Sequence, residues 1–142
     1  MSQSMPSATQ SLSPLLGGAV PLVGRILLGA IFLMSGIGKI AEPGAAMGYI
    51  SSAGLPLPQV ALAIGIAVEV IGGILLIAGY QTRLAAAIFA VYCLATAALF
   101  HSNLADQNQF IHFFKNVAMA GGMLQVVAFG AGRLSLDARR TG

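Results

Sequence analysis

The sequence has few charged residues: Asp, Glu, Lys and Arg make up 8% of its 142 residues, whereas hydrophobic residues make up 57%. A soluble domain carries about 25% charged residues, so the composition excludes an ordinary soluble protein. The seven basic residues are scattered without forming a basic stripe, which argues against a nucleic-acid partner. The chain is therefore predicted to be a polytopic membrane protein whose surroundings are the lipid bilayer.

Cysteine and catalytic motifs are also scarce. The chain has one cysteine, Cys93, so an intrachain disulfide and a CxxC motif are excluded, and with them a membrane dithiol oxidoreductase. Cys93 lies in an apolar run and is interpreted as a small buried residue. There is no phosphate-binding glycine loop, no nucleophile elbow and no HExxH motif. The spacing of His101 and His112 does not match the usual ligand sets, so neither a metal site nor haem is predicted.

Four apolar runs are long enough to cross a membrane, since about 20 residues at ~1.5 Å each span the hydrocarbon core. They predict an all-α fold, a four-helix transmembrane bundle that forms one membrane domain over residues 21–133. Between the first two runs, Met47, Tyr49 and Ile50 favour a short helix that lies on the membrane surface or re-enters it. The predicted spans are residues 21–41, 57–79, 84–102 and 110–132.

The two ends of the chain are predicted to lie on the same side of the membrane. Residues 1–20 are rich in Ser and Pro and contain no Lys or Arg, so they are interpreted as a disordered tail. Residues 134–142 form a basic tail. The side of the termini carries Arg83, Arg133, Arg139 and Arg140, and the opposite side carries Lys39 and Lys115. By the positive-inside rule both termini are cytoplasmic.

Glu69 lies near the middle of the second apolar run. A carboxylate at bilayer depth must be paired, protonated or wetted, and such a residue is a functional candidate by default. Counting helix rise from the predicted cytoplasmic ends places Arg25, Tyr92 and Gln125 in the same half of the membrane as Glu69. We therefore expect an intramembrane polar layer in which Arg25 pairs with Glu69, and in which Tyr92 and Gln125 donate hydrogen bonds to the pair. Snorkelling of Arg25 to the head groups is the alternative.

A second group of polar residues is predicted near the opposite surface. It forms a basic, hydrogen-bonding rim that could hold an anion or a quinone head group. Ordinary interfacial anchoring of Lys and His explains the same residues equally well. The rim residues are Lys39, His101, His112, Lys115 and Asn116.

The order of several short motifs resembles the DoxX family of small bacterial membrane proteins. Arg25-x-x-x-Gly29 and Ser35-Gly36-x-x-Lys39 resemble the opening of that family, and Glu69-x-x-Gly72-Gly73 followed by Thr82-Arg83 resembles its second span and turn. Phe114-Lys115-Asn116 and the ending Gly132-Arg133-Leu134-Ser135-Leu136-Asp137 complete the pattern. The resemblance implies a four-helix protein of the bacterial inner membrane, with Arg25, Lys39, Glu69 and Lys115 as family positions. It also implies that some relatives are subunits of quinone-linked redox enzymes.

Three functions remain open at this point. The favoured one is a redox-associated membrane subunit that binds a quinone or another small lipophilic molecule, acting as an accessory subunit beside a protein partner. The second is a non-enzymatic membrane scaffold or assembly factor. The third is a small-solute or proton pathway, in which Glu69 would titrate and the chain would assemble as a homo-oligomer. The sequence alone does not establish whether the protein is an enzyme.

Overall fold

The computed structural model describes residues 8–140, and within them the side chains of all residues except 9–11. Four helices in this part of the chain are long and apolar enough to cross a membrane. The predicted all-α architecture is therefore confirmed. The helices are α1, residues 8–41 (Ala8–Pro14, a π-helical turn Leu15–Ala19, and Val20–Ala41); α2, Pro43–Ser52; α3, residues 58–78 (Pro58–Ile66, a π-helical turn Ala67–Ile71, and Gly72–Ala78); α4, Thr82–Phe100; α5, Gln107–Phe129; and α6, Leu136–Arg140.

Helix α1 begins earlier than the sequence predicted. It is helical from Ala8, so the interpretation of residues 1–20 as a disordered tail is wrong for residues 8–20, and residues 1–7 lie outside the described part of the chain. The reason is tertiary packing: the carbonyl oxygen of Gly17 accepts a hydrogen bond from the backbone N–H of Arg133, at 2.8 Å. Contacts of this kind outweigh a weak local helix preference.

The connection between the first two spans contains the expected short helix, α2. Its Tyr49 ring stacks on Phe100 at the end of α4, with ring centroids 5.4 Å apart. Ile50 on the same helix is buried. Helix α2 is thus packed against the end of the bundle opposite to the chain termini.

Helices α1 and α3 approach closely because glycines line their contact. A Cβ atom on Gly29 would lie 2.6 Å from Cγ1 of Ile77, and one on Gly36 would lie 2.7 Å from Cγ2 of Val70. Small residues allow such close backbone approach in membranes, where no hydrophobic effect drives helices together. The seven-residue spacing of these two glycines therefore reflects helix packing.

The core of the bundle is formed by a small number of buried apolar side chains. Phe32 of α1 stacks on Phe89 of α4, with ring centroids 4.2 Å apart. Around this pair lie Leu76, Cys93 and Met123, none of which is exposed. Most other large apolar side chains point outward, as expected for helices surrounded by lipid.

After α5 the chain turns back across the end of the bundle. Gly130 and Gly132 both have positive φ, at 81° and 84°, a conformation that glycine adopts without strain. A Cβ atom on Gly132 would also lie 2.7 Å from Pro21 of α1. The chain can therefore lie flat against the start of α1 and bring residues 133–140 over the ends of α3 and α4.

Candidate functional site

Glu69 forms a polar cluster inside the bundle with residues from three helices. Its carboxylate accepts hydrogen bonds from Nζ of Lys39, at 3.0 Å to Oε1 and 2.9 Å to Oε2, and from the hydroxyl of Tyr92, at 2.9 Å to Oε1. Lys39 also donates to Oγ of Ser35, at 2.8 Å. Glu69 is only 5% exposed, whereas the side chain of Lys39 is 27% exposed. We call Ser35, Lys39, Glu69 and Tyr92 the Glu69 cluster.

The direction of helical side chains explains why Lys39 reaches Glu69. Gly36 is level with Glu69, because a Cβ atom on Gly36 would lie 3.1 Å from the Cβ of Glu69. Lys39 lies one turn beyond Gly36, and side chains on a helix lean toward its N-terminus. The ammonium group of Lys39 therefore leans back to the level of the carboxylate, with Ser35 as a further acceptor on the same helix face.

The predicted ion pair between Arg25 and Glu69 is wrong. Arg25 precedes Gly36 by eleven residues, which is about 16 Å of helix, so its guanidinium cannot reach the level of Glu69. The expectation relied on the length of the Arg25 side chain to close the remaining difference in depth. Side chains on a helix lean toward its N-terminus, so that of Arg25 leans away from Glu69 and lies level with the end of α3, beside Gly79.

Arg25 binds backbone carbonyl groups. Its Nη1 donates to the carbonyl oxygens of Leu76 and Ile77, at 3.1 and 2.8 Å, and its Nη2 donates to that of Leu134. The last carbonyls of a helix have no partner within it, and a cation there is favoured by the helix dipole. Arg25 is 1% exposed, so it does not snorkel to the surface. It joins the end of α3 to the C-terminal segment.

The other two members of the predicted polar layer differ in outcome. The hydrogen bond from Tyr92 to Glu69 is confirmed. Gln125 is exposed on α5, so its expected bond to the Glu69 pair is wrong. Counting helix rise gives the depth of Gln125 in the membrane, but it does not tell which face of α5 carries the side chain.

A π-helical turn, Ala67–Ile71, has Glu69 at its centre. Such single-turn irregularities insert one extra residue into a helix and occur frequently at functional sites. The turn changes the rotational register of α3 at the point where Glu69 faces α1 and α4. Apart from the acidic residue itself, nothing in the sequence predicts this turn.

The predicted outer rim is assembled only in part. The rings of His101 and His112 stack with centroids 5.1 Å apart, and Asn116 is buried and donates to the carbonyl oxygen of His112 at 2.9 Å. Burial, together with nearby His112 and Lys115, lowers the pKa of His101 from its ordinary value. Lys39, in contrast, belongs to the Glu69 cluster. Among the described residues, no group of three or more His, Cys, Asp or Glu could hold a metal ion.

An apolar cleft of about 260 Å³ lies between α3 and α4. It opens on the outside of the bundle, since Ile71, Leu84 and Ile88 on its wall are exposed. Val68 and Phe89 line the cleft, and they lie within one helical turn of Glu69 and Tyr92 respectively. One end of the cleft is therefore level with the Glu69 cluster, although none of the four cluster residues lines it, and Gln81 lines the other end.

Asp137 has a structural role that was not predicted from the sequence. Its carboxylate accepts hydrogen bonds from the backbone N–H groups of Gln81 and Thr82, at 2.8 and 2.9 Å, and from the Thr82 hydroxyl at 2.6 Å. It caps the start of α4 from a distant part of the chain. Burial by itself would raise the pKa of Asp137, but these hydrogen bonds and the nearby Arg140 outweigh it and hold the pKa below its ordinary value.

Comparisons with known proteins agree with this architecture. The DoxX family model matches residues 20–102. The chain is 35% identical over 123 residues to the inner membrane protein YphA of Escherichia coli (strain K12), a match that covers 83% of this chain and 88% of the relative. It is 37% identical over 119 residues to the inner membrane protein YqjF of the same organism, covering 82% and 88%. No solved structure matches the chain.

Proposed function

The chain belongs to the DoxX family of integral membrane proteins, and from that premise we propose that it is a redox-associated membrane subunit that binds a quinone or a similar small lipophilic molecule. The proposal depends on one observation: a carboxylate in mid-helix, Glu69, is held by Lys39 and Tyr92 next to an apolar cleft. Small-molecule sites combine apolar walls with a few convergent polar groups. The cleft, at about 260 Å³, is slightly smaller than the lower limit of the usual range, ~300 Å³.

In this proposal the cleft and the Glu69 cluster have different roles. The apolar wall between α3 and α4 holds the ring and the tail of the ligand, and it is open to the lipid from which such a ligand would enter. Tyr92 and Lys39 both donate to Glu69, so a carbonyl oxygen of the ligand would take one of these donors from the carboxylate. Glu69 can accept or give a proton when the ligand changes its redox state. The electrons come from a partner protein.

Quinone binding can be measured by fluorescence because the chain has no tryptophan. Ile71→Trp places a single indole on the wall of the cleft, and Ile74→Trp places one on the same helix outside it; the two positions are 58% and 53% exposed. In lipid nanodiscs, a quinone added in steps should quench the Ile71→Trp variant saturably. The Ile74→Trp variant should show only the linear quenching caused by quinone dissolved in the lipid.

The polar half of the site is tested with a pair of matched tyrosine variants. On the Ile71→Trp background, Tyr92→Phe removes a hydroxyl group from the Glu69 cluster and should weaken quinone binding about fivefold to tenfold. Tyr80→Phe removes a hydroxyl group from an exposed residue and should leave binding unchanged. Equal quenching at both tryptophan positions would contradict the proposal. If a protein partner then copurified without any quinone, the scaffold interpretation would replace it.

We further propose that both termini lie on the cytoplasmic side of a bacterial inner membrane. The hydrogen bond between Arg133 and Gly17 supports a shared side for the two ends of the chain, and Arg83, Arg139 and Arg140 lie near that end. A green fluorescent protein fused to the C-terminus should fluoresce, and alkaline phosphatase fused there should be inactive. The opposite pattern would reverse the orientation.

A further inference from the structure

A second cavity, of about 520 Å³, lies at the end of the bundle that carries residues 133–140. It is bounded by the turn between α3 and α4, the end of α5 and the C-terminal segment. None of the residues of the Glu69 cluster lines this cavity. Its polar lining consists of Gln81, Thr82, Arg83, Ser135, Asp137 and Arg140.

The charges in this cavity favour an anion. Arg83 lies against the end of α5, since a Cβ atom on Gly130 would be 3.2 Å from its Nε and Nη2. The guanidinium carbon of Arg140 lies 5.1 Å from the centre of the Tyr80 ring. The acidic group, Asp137, already accepts hydrogen bonds from the start of α4. Two exposed guanidinium groups and one engaged carboxylate leave the cavity with positive charge.

The cavity also has an apolar edge. Leu84 and Phe129 line it and are 59% and 79% exposed. They lie near the start of α4 and at the end of α5, where membrane-length helices leave the hydrocarbon core. An occupant would meet cations on one side and a lipid-facing apolar surface on the other. A soluble phosphate would use only the first of these surfaces.

We propose that this cavity binds the phosphate head group of an anionic phospholipid, with Arg83 and Arg140 on the phosphate and Leu84 and Phe129 against the acyl chains. Basic pockets between membrane helices are suited to such head groups, and arginine presents a planar fork of donors to phosphate oxygens. The lipid site and the apolar cleft share Gln81 and Leu84, but neither arginine of the lipid site lines the cleft, so the two proposals are tested by different substitutions.

The test is native mass spectrometry of protein released from nanodiscs that contain equal amounts of phosphatidylglycerol and phosphatidylcholine. The wild-type protein should retain phosphatidylglycerol in preference to phosphatidylcholine. Arg83→Gln and Arg140→Gln should each lower that retention about fivefold. Arg139→Gln removes the same charge from the same short helix as Arg140, but Arg139 does not line the cavity, so this variant should retain lipid like the wild type.

A second arm distinguishes lipid from free phosphate. Inorganic phosphate added at millimolar concentration should not displace the retained phosphatidylglycerol. If it does, the site takes a soluble anion and the lipid assignment is overturned. An equal loss of phosphatidylglycerol retention in Arg139→Gln would also overturn the proposal, because it would show that the lipid is attracted by the overall positive charge of this end of the protein and not by the cavity. Arg140 is exposed near the chain end, so its variant provides the result if Arg83→Gln fails to fold.

Discussion

Lys39 and Glu69 are 30 residues apart in the chain, yet the ammonium nitrogen of Lys39 lies 2.9 and 3.0 Å from the two carboxylate oxygens of Glu69. The pair joins α1 to α3, and the Tyr92 hydroxyl extends it to α4. An acid in the middle of a membrane helix is thus compensated by a base from near the end of another helix. Lys39 is the more exposed member of the pair, at 27% of its side chain against 6% for Glu69.

Glu69→Gln should destabilise the bundle moderately. The substitution removes the counter-charge of Lys39, but Lys39 is partly exposed and can be solvated, so the loss should be about 1–3 kcal/mol. Stability can be followed through the single cysteine, because Cys93 has no exposed surface and reacts with a maleimide only when the bundle opens. Glu42→Gln, at an exposed site near the same end of α1, is the control. Equal labelling rates for the two variants would contradict a stabilising pair.

Arg25→Met should be more damaging than Glu69→Gln. It removes the Arg25 donor from the carbonyl oxygens of Ile77 and Leu134 and leaves that of Leu76 with the backbone N–H of Gly79, at 3.2 Å, and we expect a loss of about 3–5 kcal/mol. The result should appear as a lower melting temperature in detergent. Arg139→Met, at an exposed position, should have little effect. A small change in Arg25→Met would mean that water satisfies these carbonyls.

Gly36→Ala should separate α1 from α3 at the level of the Glu69 cluster. Its new methyl group would lie 2.7 Å from Cγ2 of Val70 and 3.1 Å from Cβ of Glu69, and overpacking of this kind costs about 1–3 kcal/mol. Gly38→Ala is a matched control on the same helix, since nothing lies within 4 Å of its added atom. The control should melt at or slightly above the wild-type temperature. Equal melting temperatures would show that α3 moves aside freely.

The docking of the C-terminal segment should weaken in acid. The pKa of Asp137 is held below its ordinary value in the folded protein, so the carboxylate contributes stability above the unfolded pKa, about 3.9, and this contribution is lost as the pH falls through the folded pKa. Asp137→Asn should therefore melt below the wild type at neutral pH. The difference between the two melting temperatures should shrink below about pH 4. A difference that is constant with pH would contradict this role.

Much of the fold was predictable because membranes impose strong constraints on sequence. Four apolar runs of membrane length and the short helix α2 follow directly from composition and spacing. The start of α1 could not be predicted in this way, because the packing of Gly17 against Arg133 is a contact between distant segments of the chain. Glu69 stands out in the sequence as an acid in an apolar run, and its hydrogen bond with Tyr92 agrees with their similar depth. The partner of Glu69 was predicted wrongly because counting helix rise gives the depth of a Cα atom and not the direction in which a long side chain leans.

The hydrogen bond between Arg25 and Leu134 spans 109 residues of the chain. During synthesis, α1 leaves the ribosome long before Leu134 is made, so Arg25 first enters the membrane without one of its final acceptors. The end of the bundle can be completed only after translation has almost finished. A chain that stops at the end of α5 would contain all four membrane-length helices of the described residues and still lack one of the acceptors of Arg25.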